Sequence, residues 1–170
     1  MTDWDLLVAG RPSVDVMFSG LEAWPALGRD VVADGLGVCA GTSFNTPAAA
    51  HRLGLRVAYV AMVGNDRWSR VVRDEWELEG LPTDFLEVED RPMPFVSVAL
   101  NHDGDRGFVT YYGAGEPDDE ELERTALDTV ETVSARHLHA YAGEEGARLV
   151  RAARGRGMSV SVDAWGGPWW

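Results

Sequence analysis

Seven consecutive apolar residues, Val57 to Val63, constrain the fold of this chain more than any other feature. The run is too short to span a bilayer, and it lacks the polar alternation of a strand with one wet face. It reads as a central parallel strand covered on both sides, which demands helices above and below a sheet. The flanking sequence supplies them. Pro47 to Leu53 reads as a helix with Thr46 as N-cap, proline at the first helical position and Gly54 at its end. Arg67 to Glu79 reads as a second helix, with Val71, Val72, Trp76 and Leu78 as its apolar face and Gly80 as C-cap. Leu6 to Gly10 is a short buried strand. A helix near Asp119 to Val133, a strand near Arg136 to Ala140, a helix near Glu144 to Arg154 and a strand at Ser159 to Asp163 continue the alternation. The expected class is α/β, a layered domain with a mainly parallel central sheet.

Two stretches depart from that rhythm. Phe95 to Leu100 and Gly107 to Tyr112 flank the turn cluster His102-Asp103-Gly104-Asp105 and read as an antiparallel hairpin. Val14 to Phe18 and Val31 to Val38 are also strand-like, with no helix between them. Segments near 14-18, 31-38 and 95-112 should therefore build a small second sheet, placed to cover a ligand at the carboxyl ends of the parallel strands. The acidic run Glu116 to Glu121 reads as a charged helix start.

Charge and composition narrow the function. With 170 residues the chain fits one domain, and a net charge of -13 argues against a nucleic-acid partner. All 15 basic residues are arginine, so no lysine is present to grip phosphate in a P-loop or to form a Schiff base. A single cysteine, Cys39, allows no internal disulfide, and the acidic N-terminus is unlike a signal peptide. A soluble, cytoplasmic protein is expected, with no membrane partner.

The densest chemical signal is Ala40-Gly41-Thr42-Ser43-Phe44-Asn45, followed by Leu53-Gly54 and Val63-Gly64-Asn65-Asp66. Small residues at 40 and 41 let a ligand approach the backbone, and Asn45 can both donate to and accept from hydroxyls. On these residues alone Gly41 could equally serve a strand-to-helix turn and Asn45 a cap. Two other patterns are weaker. Gly35-Leu36-Gly37-Val38-Cys39-Ala40 spells a dinucleotide fingerprint but opens no helix and reads as a strand of the second sheet. His137-Leu138-His139 sets two imidazoles on one face of a strand, with Asp163 as an imaginable third metal ligand; a hydrogen-bonded strand pair is the plainer reading, and a His137/His139 metal hydrolase the lesser alternative.

Together, Gly10-Arg11-Pro12-Ser13-Val14-Asp15, the Ala-Gly-x-x-x-Asn segment, Leu53-Gly54, Val63-Gly64-x-Asp66 and Asp103-Gly104-Asp105-Arg106 resemble the ribokinase-like (PfkB) family of carbohydrate and nucleoside kinases, from about Leu6 to Trp165. Ser43, Pro47 and Ser69 depart from the usual pattern. The resemblance implies the N-terminal part of one ribokinase-like domain over residues 1-170, with the second sheet as a lid that often makes a dimer contact. It implies that Asp15, Gly41 and Asn45 hold a sugar-like acceptor and that Arg106 and Tyr112 are candidate lid contacts. ATP and Mg²⁺ would be the cofactors. The family's catalytic signature, Asp-Thr-x-Gly-Ala-Gly-Asp, does not occur in the 170 residues and is expected beyond Trp170. Gly113-Ala114-Gly115-Glu116 imitates it but ends a lid strand and precedes Pro117, so no catalytic residue is assigned. The expectation is the acceptor-binding half of an ATP-dependent carbohydrate kinase, inactive by itself, with a non-catalytic sugar-binding or lid-dimerising fragment as the alternative. Trp165, Trp169 and Trp170 are expected to pack against the remainder.

Overall fold

The computed structural model describes residues 3–113, 119–141 and 144–163. Ala114, Gly115, Glu116 and the three C-terminal tryptophans lie outside them. In chain order the elements are β1 (Trp4–Ala9), β2 (Pro12–Ser19), β3 (Gly35–Thr42), α1 (Asn45–Arg52), β4 (Val57–Val63) and α2 (Arg67–Glu79). There follow β5 (Leu86–Val88), β6 (Val96–His102), β7 (Asp105–Tyr111), α3 (Asp119–Thr132), β8 (Ala135–Tyr141), α4 (Glu144–Gly155) and β9 (Ser159–Asp163).

The main sheet has the order β5-β4-β1-β8-β9, and each of its pairings is parallel. β4 is buried along its whole length, as a seven-residue apolar run requires. Its residues divide by parity. Val57, Tyr59, Ala61 and Val63 join Leu6, Val8, Val72 and Trp76 in a core beneath α1 and α2. Ala58 and Val60 join Leu7, Val130, Leu138, Leu149 and Ala153 beneath α3 and α4. The sheet is thus sandwiched between two helical layers, which is why neither face of β4 tolerates a polar residue. Tyr59 and Trp76 stack at 4.6 Å with their planes 4° apart.

The second sheet has the order β3-β2-β6-β7 and combines antiparallel hairpin pairings with a parallel β2–β6 contact. It is the second sheet expected from segments near 14-18, 31-38 and 95-112, called the lid below for its place, with one correction: residues 31-34 are not strand, and β3 runs later, from Gly35 to Thr42. Gly41 therefore sits within the ladder opposite Ser13 rather than in the turn.

Other local expectations change as well. α1 begins at Asn45 with Phe44 as N-cap, helical in backbone and making no side-chain capping bond, so Thr46 lies inside the helix. Thr46 instead bonds the Tyr141 hydroxyl. Leu78 is exposed, and the buried residues of α2 are Ser69, Val72 and Trp76. Gly80 does close α2, in the left-handed region at φ 66°.

Asp66 ties α2 to the chain ahead of the lid. Its Oδ1 accepts from the Trp68 and Ser69 N–H groups at 2.9 and 3.2 Å. Its Oδ2 accepts from Ser69 Oγ at 2.7 Å and the Met93 N–H at 2.8 Å. Ser69 Oγ in turn accepts from the Gly64 N–H at 2.9 Å, which gives the unexpected serine a defined task. A Cβ on Gly64 would fall 2.5 Å from the Met93 nitrogen and overlap the Arg91 carbonyl, so only glycine fits there. Burial alone would raise the Asp66 carboxyl, but the four bonds outweigh it and hold its pKa below the ordinary range.

Candidate acceptor site

β1 leaves the main sheet at Ala9, and β2 enters the lid at Pro12, so only Gly10 and Arg11 separate the two sheets. A side chain on Gly10 would meet Ser43 Cβ at 2.6 Å and the Tyr141 ring at 3.0 Å, so its absence lets the turn after β3 close onto the end of β1. Ser43 is buried there and shares a 2.7 Å hydrogen bond with the Tyr59 hydroxyl from the core of β4.

Strand register sorts the lid residues onto two faces. Val38, Val16, Val98 and Val109 lie side by side, with Leu36, Phe18 and Leu100 in the next row and Ala40, Val14, Val96 and Tyr111 on the other side. That face is apolar. The opposite face carries Gly41 beside Ser13, then Cys39, Asp15, Ser97 and Thr110 in the next row, while Phe95 and Tyr112, just outside β6 and β7, set their rings 4.9 Å apart. Ser13 Oγ donates to Asp15 Oδ1 at 2.8 Å and lies 2.6 Å from Thr42 Oγ1, while Ser97 and Thr110 hydroxyls meet at 3.1 Å. A Cβ on Gly41 would overlap the Asp15 carboxylate, so glycine makes the room in which that carboxylate rests.

A cleft of about 300 Å³ opens where this face meets the carboxyl ends of β1, β8 and β9. Gly10, Thr42, Ser43 and Tyr112 border it from the lid and its hinge, Tyr141 and Asp163 from β8 and β9, and Glu123 with Leu149 from the helices. Arg11 lies on its rim with the guanidinium 5.4 Å from the centre of the Phe95 ring. Burial pushes the Tyr141 phenol up; the Thr46 hydrogen bond opposes the rise and the Asp163 charge adds to it. Tyr141 is thus a neutral donor or acceptor at ordinary pH.

Of the residues read from sequence, Asp15 and Gly41 touch one another in space; among the described residues Tyr112 lines the cleft, whereas Asp15 and Gly41 lie next to its Thr42 border and do not line it. Asn45 opens α1 as an exposed residue four positions beyond Gly41. Arg106 is not brought to the cleft. It lies six residues before Tyr112 along the hairpin, roughly 20 Å at strand rise, and packs over Phe108 at 5.5 Å. Ser13, Thr42 and Glu123 were missed by sequence reading; a hydroxyl two residues ahead of Asp15 was the available signal for the first.

The histidine pair is a hydrogen-bonded ladder. Ser159 Oγ donates to the Arg136 carbonyl, so it accepts from His137 Nδ1 at 2.8 Å. His137 Nε2 then accepts from Ser161 at 2.7 Å, and Ser161 accepts from His139 Nδ1 at 2.9 Å. Both His137 nitrogens are engaged. Burial lowers the His139 pKa, with Asp163 opposing and His137 assisting. Among the described residues no group of three or more His, Cys, Asp or Glu is placed to hold a metal.

The family model described as pfkB family carbohydrate kinase matches residues 37–158. No curated protein matches the sequence. Among solved structures, a microbiome-derived acarbose kinase is similar at 23% identity and TM-score 0.68, over 95% of this chain and 53% of that one. Ribokinase of Arabidopsis thaliana complexed with ribose and ATP is similar at 19% identity and TM-score 0.66, over 98% and 55%. Fructokinase of Xylella fastidiosa with bound ATP is similar at 21% identity and TM-score 0.66, over 97% and 53%. The chain spans just over half the length of these structures. No helix among the described residues is long and apolar enough to cross a membrane.

Proposed function

The chain belongs to the PfkB family of carbohydrate kinases, and on that footing we propose that it forms the acceptor-binding half of a kinase that moves a phosphoryl group from ATP to a hydroxyl of a sugar or sugar acid. The observation that carries this reading is the Asp15 carboxylate, bonded to Ser13, cleared by Gly41 and set on a hydroxyl-lined face beside the cleft. An ionised carboxylate among hydroxyls accepts from two neighbouring hydroxyls of a polyol, the pattern a sugar offers. Asn45 and Tyr112 supply further polar contacts in this reading.

ATP and Mg²⁺ belong to the proposed full reaction. The described cleft does not fit a triphosphate: it carries the Glu123 and Asp163 carboxylates and the Thr42 and Ser43 hydroxyls, and its arginine, Arg11, rests over an aromatic ring. These groups suit an acceptor's hydroxyls and repel polyphosphate. No transfer step is assigned to them. The family's catalytic signature is absent from the 170 residues, which supports the view that they do not phosphorylate by themselves.

The test has two arms. Titration of the purified chain with sugars and sugar acids should detect a polyol that binds, with at least a tenfold loss in Asp15→Asn, about what one bond to a charged group is worth. Incubation with Mg-ATP and the same panel should release no ADP above a no-acceptor control. Acceptor-dependent turnover in a preparation freed of host kinases would refute the inactive-half reading, and binding indifferent to Asp15→Asn would refute the acceptor site.

A second reading, self-association through the lid, is favoured by its apolar face. Leu36, Val38, Val109 and Tyr111 are all exposed there, a contiguous patch of the kind that marks an interaction surface.

A further inference from the structure

We propose that Glu123 is a ligand-recognition residue of the cleft, its Oε1 receiving a hydrogen bond from a hydroxyl or ammonium donor on a bound polyol. The inference rests on the acceptor-site reading and adds a second anchor to it. Glu123 stands on α3, its side chain 5% exposed, and borders the cleft. Arg148 from α4 holds Oε2. Oε1 is buried and, among the described residues, has no hydrogen-bond partner.

That arrangement is unusual. A carboxylate offers about four acceptor positions, and a buried one is normally satisfied by protein donors. The side chains flanking Glu123 at the cleft, Leu122, Ala126 and Leu149, are apolar and offer none. Arg148, with its head 57% exposed, fixes the carboxylate from the solvent side and leaves the other oxygen free. Asp163 adds a second carboxylate to the same cleft, and Thr42 connects it to Ser13 and Asp15. A cavity of about 300 Å³ bordered by Glu123, Asp163, Thr42 and Ser43 suits a small ligand bearing several hydrogen-bond donors. A donor that reaches Oε1 gains a charge-assisted bond without displacing a protein partner, worth roughly 10- to 100-fold in affinity.

The experiment titrates the 170-residue chain with D-ribose, D-fructose, D-glucose, D-gluconate and D-glucosamine, followed by calorimetry, for wild type, Asp15→Asn, Glu123→Leu and Glu123→Gln. Glu123→Leu should weaken the best ligand by at least tenfold while its melting temperature stays level or rises, because an unsatisfied buried oxygen has gone. A purely structural role predicts a lower melting temperature instead. In Glu123→Gln, Arg148 claims the amide oxygen and the NH₂ turns to the free position. An ammonium cannot accept from it, so glucosamine should fall at least tenfold; a hydroxyl can reverse its role, so the neutral sugars should fall less. Loss confined to glucosamine identifies the ammonium as the donor, and loss across the neutral sugars in Glu123→Leu identifies a hydroxyl. Binding unchanged in both Glu123 variants but lost in Asp15→Asn overturns this proposal and leaves the acceptor site standing. If no compound in the panel binds wild type, both readings fall together.

Discussion

Removing the Asp66 carboxylate should destabilise the chain far more than a surface substitution. Asp66→Ala deletes the N-cap of α2, which costs about 1 kcal/mol. It also strips the acceptor from the Met93 N–H, and a backbone donor left unpaired in a partly buried site costs about 1–3 kcal/mol. Ser69 keeps its bond from Gly64 but loses the acceptor for its own O–H, so the sum that follows is a lower bound. The sum is about 2–4 kcal/mol, or roughly 5–15 °C in melting temperature for a domain of this size. The pH dependence follows from the carboxyl's lowered pKa. A depressed native pKa stabilises fully above the unfolded value, about 3.9, and that stability is lost as pH falls through the lower native value. The difference between wild type and Asp66→Ala should therefore be constant above about pH 5 and shrink below about pH 4. Urea unfolding followed by tryptophan fluorescence at pH 7 and pH 3.5 measures both. A difference under about 0.5 kcal/mol at pH 7, or one that grows on acidification, would refute the argument.

Two more perturbations probe the buried contacts and the lid. Tyr59→Phe and Ser43→Ala should each cost about 1–3 kcal/mol by orphaning a buried hydroxyl, whereas the double variant should cost clearly less than their sum in the same denaturation assay; additive losses would show that the 2.7 Å bond carries no coupling. Val109→Asp sets a charge on the exposed β7 edge of the apolar lid face, so sedimentation should show a self-associating chain become monomeric, and an unchanged distribution would dismiss association through that face.

The sequence disclosed its layers well where burial left no choice. Val57 to Val63 had to be a central strand, and Gly80 closed α2 because a left-handed stop is local chemistry. β5 escaped notice because three residues, Leu86–Val88, carry no periodicity and pair only because β4 presents an open edge. Thr46 looked like a cap because threonine commonly is one, yet Tyr141, distant in sequence, claims its side chain. Arg106 was legible as a lid residue but not as a remote one, since distance along a hairpin from the cleft depends on where the two sheets join. Glu123 could not be found at all: in an acidic helix its letter is indistinguishable from Glu121 or Glu131, and only packing against α4 buries it.

The two-residue passage from β1 to β2 has a mechanical consequence. Ser13, Asp15, Gly41 and Thr42 belong to β2 and β3, so their mutual contacts are internal to the lid and survive any rigid rotation of it. Asp15 lies five residues past Gly10, a lever of about 17 Å at strand rise, so a 10° turn at that pivot would sweep the carboxylate through about 3 Å. Ser43, wedged against Gly10 and tethered to Tyr59, resists such a turn together with Val14 and Ala40, which are packed into the core beneath α1 and α2. An acceptor held by Asp15 would travel with the lid as cargo, approaching the parallel sheet and the Glu123 wall only as the cleft shuts.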